Sequence, residues 1–79
     1  MNPAEILDII KKEIKNVSFK TVGDADNLLA SGILDSITAV DLSVALEEQF
    51  SIQIPFVDVN EQNFESAEKI AAYIKTKLG

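Results

Sequence analysis

Apolar side chains recur with helical spacing in three separate segments of the chain. In the first segment, which predicts a helix over residues 3–16, four of them are three or four positions apart: Ile6, Ile10, Ile14 and, just beyond its end, Val17. This spacing predicts a helix with one buried face. Asn2 suits its N-cap and Pro3 its first position, and Glu5 completes a capping box.

Two later segments also predict helices, at residues 36–50 and 66–78. The apolar stripe of the last helix consists of Ala67, Ile70, Ala71, Ile74 and Leu78. Residues 18–34 are rich in turn formers and predict a long loop, with Leu28, Leu29, Ile33 and Leu34 as its apolar anchors. One short helical turn is expected at residues 60–64.

These elements predict an all-α fold, with three longer helices and one short one in a small four-helix bundle. The long loop lies between helices 1 and 2. Residues 51–55 alternate like a strand, but a single strand has no partner with which to form a sheet. We expect one domain over residues 1–79.

The second helix has two apolar faces. Leu42, Leu46 and Phe50 share one side, whereas a second apolar group lies about 160–220° away from Leu42: Ile37, Val40 and Val44. Three carboxylates flank this second group: Asp41, Glu47 and Glu48. A small bundle can bury both faces, or the second face can bind a partner. The acidic rim favours a partner-binding face, because burying carboxylates carries a desolvation cost.

Charge and composition narrow the possible functions. The net charge is −6, and no basic residue occurs between Thr21 and Glu68. An acidic chain is a poor ligand for nucleic acid. It has no Cys and no His, which argues against a disulfide framework, a thiolate metal site and an enzyme with its own nucleophile–base pair. The acidic region is either a solubilising surface or a docking face for basic partners.

Membrane and metal sites are not expected. No apolar run approaches the roughly 20 residues of a membrane span, and the first residues have no basic region or cleavage site of a signal peptide. We therefore expect a cytoplasmic protein. A calcium loop beginning at Asp24 would need Gly at its sixth position and Glu at its twelfth. The chain has Leu29 and Asp35 there, so the match to a calcium loop fails.

The pair Asp35-Ser36 lies where the long loop meets the second helix. Either residue suits a helix N-cap, and a cap alone would explain the pair. A functional interpretation is that Ser36 carries an anionic group, because a helix N-terminus offers unpaired backbone N–H groups and the positive end of a dipole.

The residues around Ser36 resemble the acyl carrier protein family. The similarity rests on Leu34-Asp35-Ser36-Ile37, on Leu46-Glu47-Glu48-Gln49-Phe50 with Ile54-Pro55, and on the closing Ile70-Ala71-Ala72-Tyr73-Ile74. It implies a covalent 4′-phosphopantetheine arm on Ser36, with Asp35 as cap and motif residue, and no catalytic residues. Its implied contacts with partner enzymes are Ile37, Val40, Asp41, Val44, Glu47 and Glu48.

The implied partners are a phosphopantetheinyl transferase, which takes the arm from coenzyme A, and acyl-activating, condensing or acyl-transfer enzymes with basic docking surfaces. The implied role is to carry thioesters in fatty-acid, polyketide or related biosynthesis, as a monomer. Residues 56–66 depart from the fatty-acid pattern, and their Asn63-Phe64 is more similar to aminoacyl and D-alanyl carriers. An aminoacyl, D-alanyl or peptidyl carrier therefore stays an alternative, as does a non-covalent helical interaction module.

Overall fold

The computed structural model describes all 79 residues, and helices are its only regular elements. Helix α1 spans Pro3–Ser18, α2 spans Ser36–Phe50, α3 spans Glu61–Phe64 and α4 spans Ala67–Leu78, with a 3₁₀ turn at Phe56–Asp58 between α2 and α3. The prediction of an all-α bundle with three longer helices and one short one is confirmed. None of these helices is both long and apolar enough to cross a lipid bilayer.

Capping residues explain where the helices begin. The Asn2 side chain accepts a hydrogen bond from the Glu5 amide at 2.9 Å, and the Glu5 carboxylate accepts one from the Asn2 amide at 3.1 Å. In α4 the Ser66 hydroxyl accepts from the Lys69 amide at 3.2 Å. Ser66 is thus the N-cap of α4, which therefore begins one residue later than its pattern predicts.

Helix α1 extends two residues beyond its predicted end at Asn16, because one more apolar residue, Val17, packs against the core. Phe19 then ends the helix in a left-handed conformation, with φ at 63°. The Phe19 amide donates to the Lys15 carbonyl at 2.8 Å. A non-glycine residue at this position is unusual, because left-handed backbone brings Cβ close to the following carbonyl oxygen.

The apolar stripes of α1, α2 and α4 meet in one core, to which α3 contributes Phe64. The largest fully buried side chains are Ile10, Ile14, Leu28, Leu34, Leu42, Leu46, Phe64, Ile70 and Ile74. Leu78 was expected in the buried stripe of α4, but it is 45% exposed. It lies in the last turn of α4, where it lines an open surface cavity together with Met1 and Ile6.

The long loop is packed across the bundle, as its apolar anchors predict. Leu28 and Leu34 are buried, while Leu29 and Ile33 are half-buried. The Leu28 amide donates to the Glu65 carbonyl at 2.7 Å, which ties the loop to the segment before α4. Because Leu34 is anchored in the core, Asp35 and the start of α2 have a defined position.

Candidate functional site

A capping box organises the first turn of α2. Asp35 Oδ1 accepts hydrogen bonds from the amides of Ile37 and Thr38 at 2.9 and 2.8 Å. The Thr38 hydroxyl donates to the same oxygen at 2.9 Å and accepts from the Asp35 amide at 2.8 Å. The Thr38 amide, followed by the Thr38 hydroxyl, lowers the pKa of Asp35. The carboxylate is therefore ionised at neutral pH.

Ser36 follows this cap and faces solvent. Its hydroxyl makes no hydrogen bond within the chain. By contrast, the Ser43 hydroxyl donates to the Val40 carbonyl at 2.7 Å, and the Ser66 hydroxyl accepts from the Lys69 amide. The Ser36 hydroxyl is thus both accessible and uncommitted, as a serine that undergoes modification must be.

An open cavity of about 200 Å³ lies beside Ser36. Its lining is mainly apolar and comes from the end of the long loop, from α2 and from the segment before α4: Leu29, Asp35, Ser36, Ala39, Phe56, Val59, Asn60, Glu61 and Phe64. Five of these residues belong to the continuous segment 56–64, which we call the cavity wall. The cavity joins a hydroxyl, an apolar surface and two acidic side chains.

These features fit a phosphopantetheine arm on Ser36. The free hydroxyl would be the point of attachment of such an arm, and the start of a 15-residue helix would place a positive dipole end beside its phosphate. One expectation requires correction. The amides of Ile37 and Thr38 are not free for a phosphate, because Asp35 already accepts hydrogen bonds from both. The sequence pattern shows a helix start but not which of its amides the cap uses.

The outer face of α2 presents most of the residues predicted to contact partners. Ile37 is 72% exposed and Val44 is 48% exposed. Asp41 and Glu48 are also exposed, whereas Val40 is half-buried. Ile37 and Val44 are therefore the main apolar surface of this face, and Val40 is accessible only in part.

Glu47 differs from the other predicted contact residues. Its carboxylate accepts a hydrogen bond from the Ile54 amide at 2.7 Å, and the side chain is half-buried. Glu47 thus holds the chain that leaves α2 and is less available to a partner than Glu48. Its role in partner binding stays a prediction.

The sequence pattern did not identify the cavity wall as part of the site. Phe56 and Val57 are each 75% exposed, and Phe56 lines the cavity with Ser36. The available signal was a pair of apolar residues directly after Pro55, where a surface turn would normally be polar. Thr38 was also missed, because its capping role depends on a side-chain rotamer.

Comparisons with known proteins agree with this geometry. A family model described as a phosphopantetheine attachment site matches residues 4–74. The chain is 37% identical over 73 residues to a D-alanyl carrier protein of Lactococcus lactis subsp. lactis, covering 92% of this chain and 91% of the relative. It is 28% identical over 76 residues to a D-alanyl carrier protein of Leuconostoc citreum, covering 89% of this chain and 97% of the relative.

Proposed function

The chain belongs to the family of carrier proteins with a phosphopantetheine attachment site, and on that premise we propose that it carries aminoacyl groups of the D-alanyl type on an arm attached to Ser36. The cofactor of this family is covalently attached 4′-phosphopantetheine, whose terminal thiol carries the cargo as a thioester. One observation supports Ser36 as the attachment point: its hydroxyl is exposed, unbonded and placed at the start of α2 beside a cavity.

The charge around Ser36 supports an aminoacyl cargo over a carboxylated cargo. Two acidic side chains, Asp35 and Glu61, line the cavity, and the chain has no basic residue from Thr21 to Glu68. This field attracts the ammonium group of an aminoacyl thioester and repels a carboxylated cargo such as a malonyl group. The named D-alanyl relatives favour the same choice, which the sequence resemblance placed second.

The protein itself performs three tasks in this role. Asp35 caps α2 and fixes the orientation of Ser36 for the transferase. Ile37 and Val44 provide an apolar contact for partner enzymes, and Asp41 and Glu48 meet basic residues at its edge. We propose that it acts as a monomer in the cytoplasm, within one domain, and that the chemistry of loading and transfer belongs to its partners.

Attachment is tested by intact-mass spectrometry after incubation with coenzyme A and a broad-specificity phosphopantetheinyl transferase. The chain should gain the mass of one phosphopantetheine group. Ser36→Ala should abolish the gain, and Ser31→Ala, which removes an exposed loop hydroxyl, should not. Retention of the gain in Ser36→Ala would exclude Ser36 as the attachment point.

The cargo is tested separately on the phosphopantetheine form. A D-alanine-activating ligase with ATP should load it, and an acyltransferase supplied with malonyl coenzyme A should load it poorly. Mass spectrometry of the intact carrier distinguishes the two products. Efficient malonyl loading without D-alanyl loading would overturn the choice of cargo and leave the carrier role in place.

A further inference from the structure

The cavity wall has little intrinsic stability. It consists of the 3₁₀ turn Phe56–Asp58, two linking residues and the four-residue helix α3. Isolated helices this short do not persist in water, so tertiary contacts must hold the wall in place. Asn60 caps α3 by accepting from the Asn63 amide at 3.0 Å, but this contact lies within the wall itself.

Tyr73 of α4 contacts the wall at two points. Its hydroxyl donates a hydrogen bond to Asp58 Oδ2 at 2.6 Å. Its ring packs against that of Phe64, with centroids 6.3 Å apart and planes inclined by 53°. Asp58 belongs to the first turn of the wall and Phe64 is its last residue. The Tyr73 side chain therefore contacts both ends of the wall.

Lys77 strengthens the same contact. Its ammonium lies 3.8 Å from Asp58 Oδ2 and 5.6 Å from the centre of the Tyr73 ring. Burial, and then the hydrogen bond to Asp58, raise the pKa of Tyr73. The tyrosine therefore stays a protonated donor throughout the physiological pH range. The Asn63 side chain also donates to the Asp58 carbonyl at 3.0 Å, which fixes the backbone of the acceptor.

We propose that Tyr73 is a positioning residue for the group on Ser36: by holding Asp58 and Phe64 it keeps the cavity wall against the start of α2, and so sets how far that group is shielded from water. The effect on the arm and its thioester rests on the proposed function. The effect on the wall rests on the contacts of Tyr73 alone.

The wall is tested by amide hydrogen exchange in Tyr73→Phe, which removes the hydroxyl and keeps the ring against Phe64. Exchange in residues 56–64 should accelerate about tenfold or more, as expected for loss of a hydrogen bond to a carboxylate. Exchange in α1 and α2 should be unchanged. Thr76→Val is a matched control, because its hydroxyl bonds only the carbonyl of Tyr73 on the same exposed helix surface.

Shielding at position 36 is tested without any arm. The chain contains no cysteine, so Ser36→Cys creates a unique thiol for an environment-sensitive fluorophore. Adding Tyr73→Phe should shift the emission towards that of a more polar environment, and adding Thr76→Val should not. Asp58→Asn keeps an acceptor for the Tyr73 hydroxyl. Its exchange rate in residues 56–64 and its emission should therefore lie between those of the chain with Asp58 and those of Asp58→Ala.

Two results would overturn the proposal. One is unchanged exchange in residues 56–64 in Tyr73→Phe and in Asp58→Ala. The other is equal acceleration in every helix, which would make Tyr73 a residue of global stability only. If Tyr73→Phe does not fold, the same two criteria are applied to amide exchange in Asp58→Asn and Asp58→Ala.

The loaded carrier gives a readout that separates this proposal from the proposed function. Spontaneous hydrolysis of the thioester should be faster in Tyr73→Phe than in wild type. A chain that never accepts the arm on Ser36 would refute the proposed function and leave the wall measurements valid. Normal attachment with unchanged exchange, emission and hydrolysis would refute the role of Tyr73 alone.

Discussion

Two neighbouring residues at the start of α2 differ in how many hydrogen bonds their side chains make within the chain. Asp35 uses one carboxylate oxygen to accept three hydrogen bonds, whereas Ser36 uses its hydroxyl for none. The amide and hydroxyl donors of the first turn thus bond to Asp35, and the Ser36 side chain stays exposed.

Asp35 should make stability depend on acidity. Folding lowers the pKa of Asp35 below its ordinary value of 3.8. Its contribution to the free energy of unfolding is therefore complete above pH 3.8 and is lost as the pH falls through the lower folded pKa. Urea unfolding of wild type and Asp35→Ala should therefore differ at pH 6, and the difference should shrink at pH values below 3.8. A difference that grows on acidification would contradict this assignment.

Phe19 has a strained left-handed backbone, and its exposed side chain makes little packing contact in return. Its φ is 63° and its side chain is 87% exposed. Phe19→Gly should raise the free energy of unfolding by about 0.5–1 kcal/mol, after the greater entropy of unfolded glycine is subtracted. Phe19→Ala retains Cβ and should leave stability nearly unchanged. Thermal or urea unfolding of the two variants provides the comparison.

Helix α2 contributes one face to the core and exposes the other. Leu42 and Leu46 are fully buried against the bundle, while Ile37 and Val44 face solvent. The two-faced pattern was visible from the sequence. The interpretation that both apolar faces are buried is incorrect for Ile37 and Val44 and partly correct for Val40, which is half-buried.

Mutations on the two faces of α2 should have separable effects. Leu46→Ala should lower the free energy of unfolding by about 2–5 kcal/mol, because it leaves a cavity in a fully buried site. Val44→Ala should change it by about 0.5 kcal/mol or less and weaken binding to a loading enzyme. Chemical unfolding and binding titrations measure the two effects. Equal destabilisation by both substitutions would refute the division of faces.

Basic residues lie near the two ends of the chain and most acidic residues lie in the middle. All seven lysines lie in residues 11–20 and 69–77, and ten acidic residues occupy the stretch between them. Three lysines pair with acids of that stretch: Lys11 with Asp24, Lys69 with Glu65 and Lys77 with Asp58. The carboxylates Asp41 and Glu48 on the outer face of α2 have no lysine partner.

Docking to basic partners should weaken as salt is added. At about 0.1 M ionic strength, screening acts over about 10 Å, so exposed carboxylates attract a partner only at short range. Asp41→Asn and Glu48→Gln should lower the association rate and its dependence on salt. Glu47→Gln should affect stability more than association, because its carboxylate bonds Ile54. Association kinetics at several salt concentrations with a loading enzyme distinguish these outcomes.

Local sequence patterns predict the three longer helices, most of the buried stripes and the position of Ser36 at the start of a helix. These features depend on local rules: Ile6, Ile10 and Ile14 repeat with the period of a helix, and Asp35 is a residue type that favours an N-cap directly before the second helical segment. Helix ends were less certain. Ser66 was expected inside α4 and is its cap, because a serine suits either position until its hydroxyl finds the Lys69 amide.

The surroundings of Ser36 become visible only in the folded chain. The cavity wall lies 20 or more residues further along the chain, and no local pattern states that Phe56 and Phe64 return to the start of α2. Nor does any pattern state that Glu47 turns inward to Ile54 or that Tyr73 meets Asp58. These contacts join residues seven or more positions apart, so the spacing rules that predict a single helix or turn do not reach them.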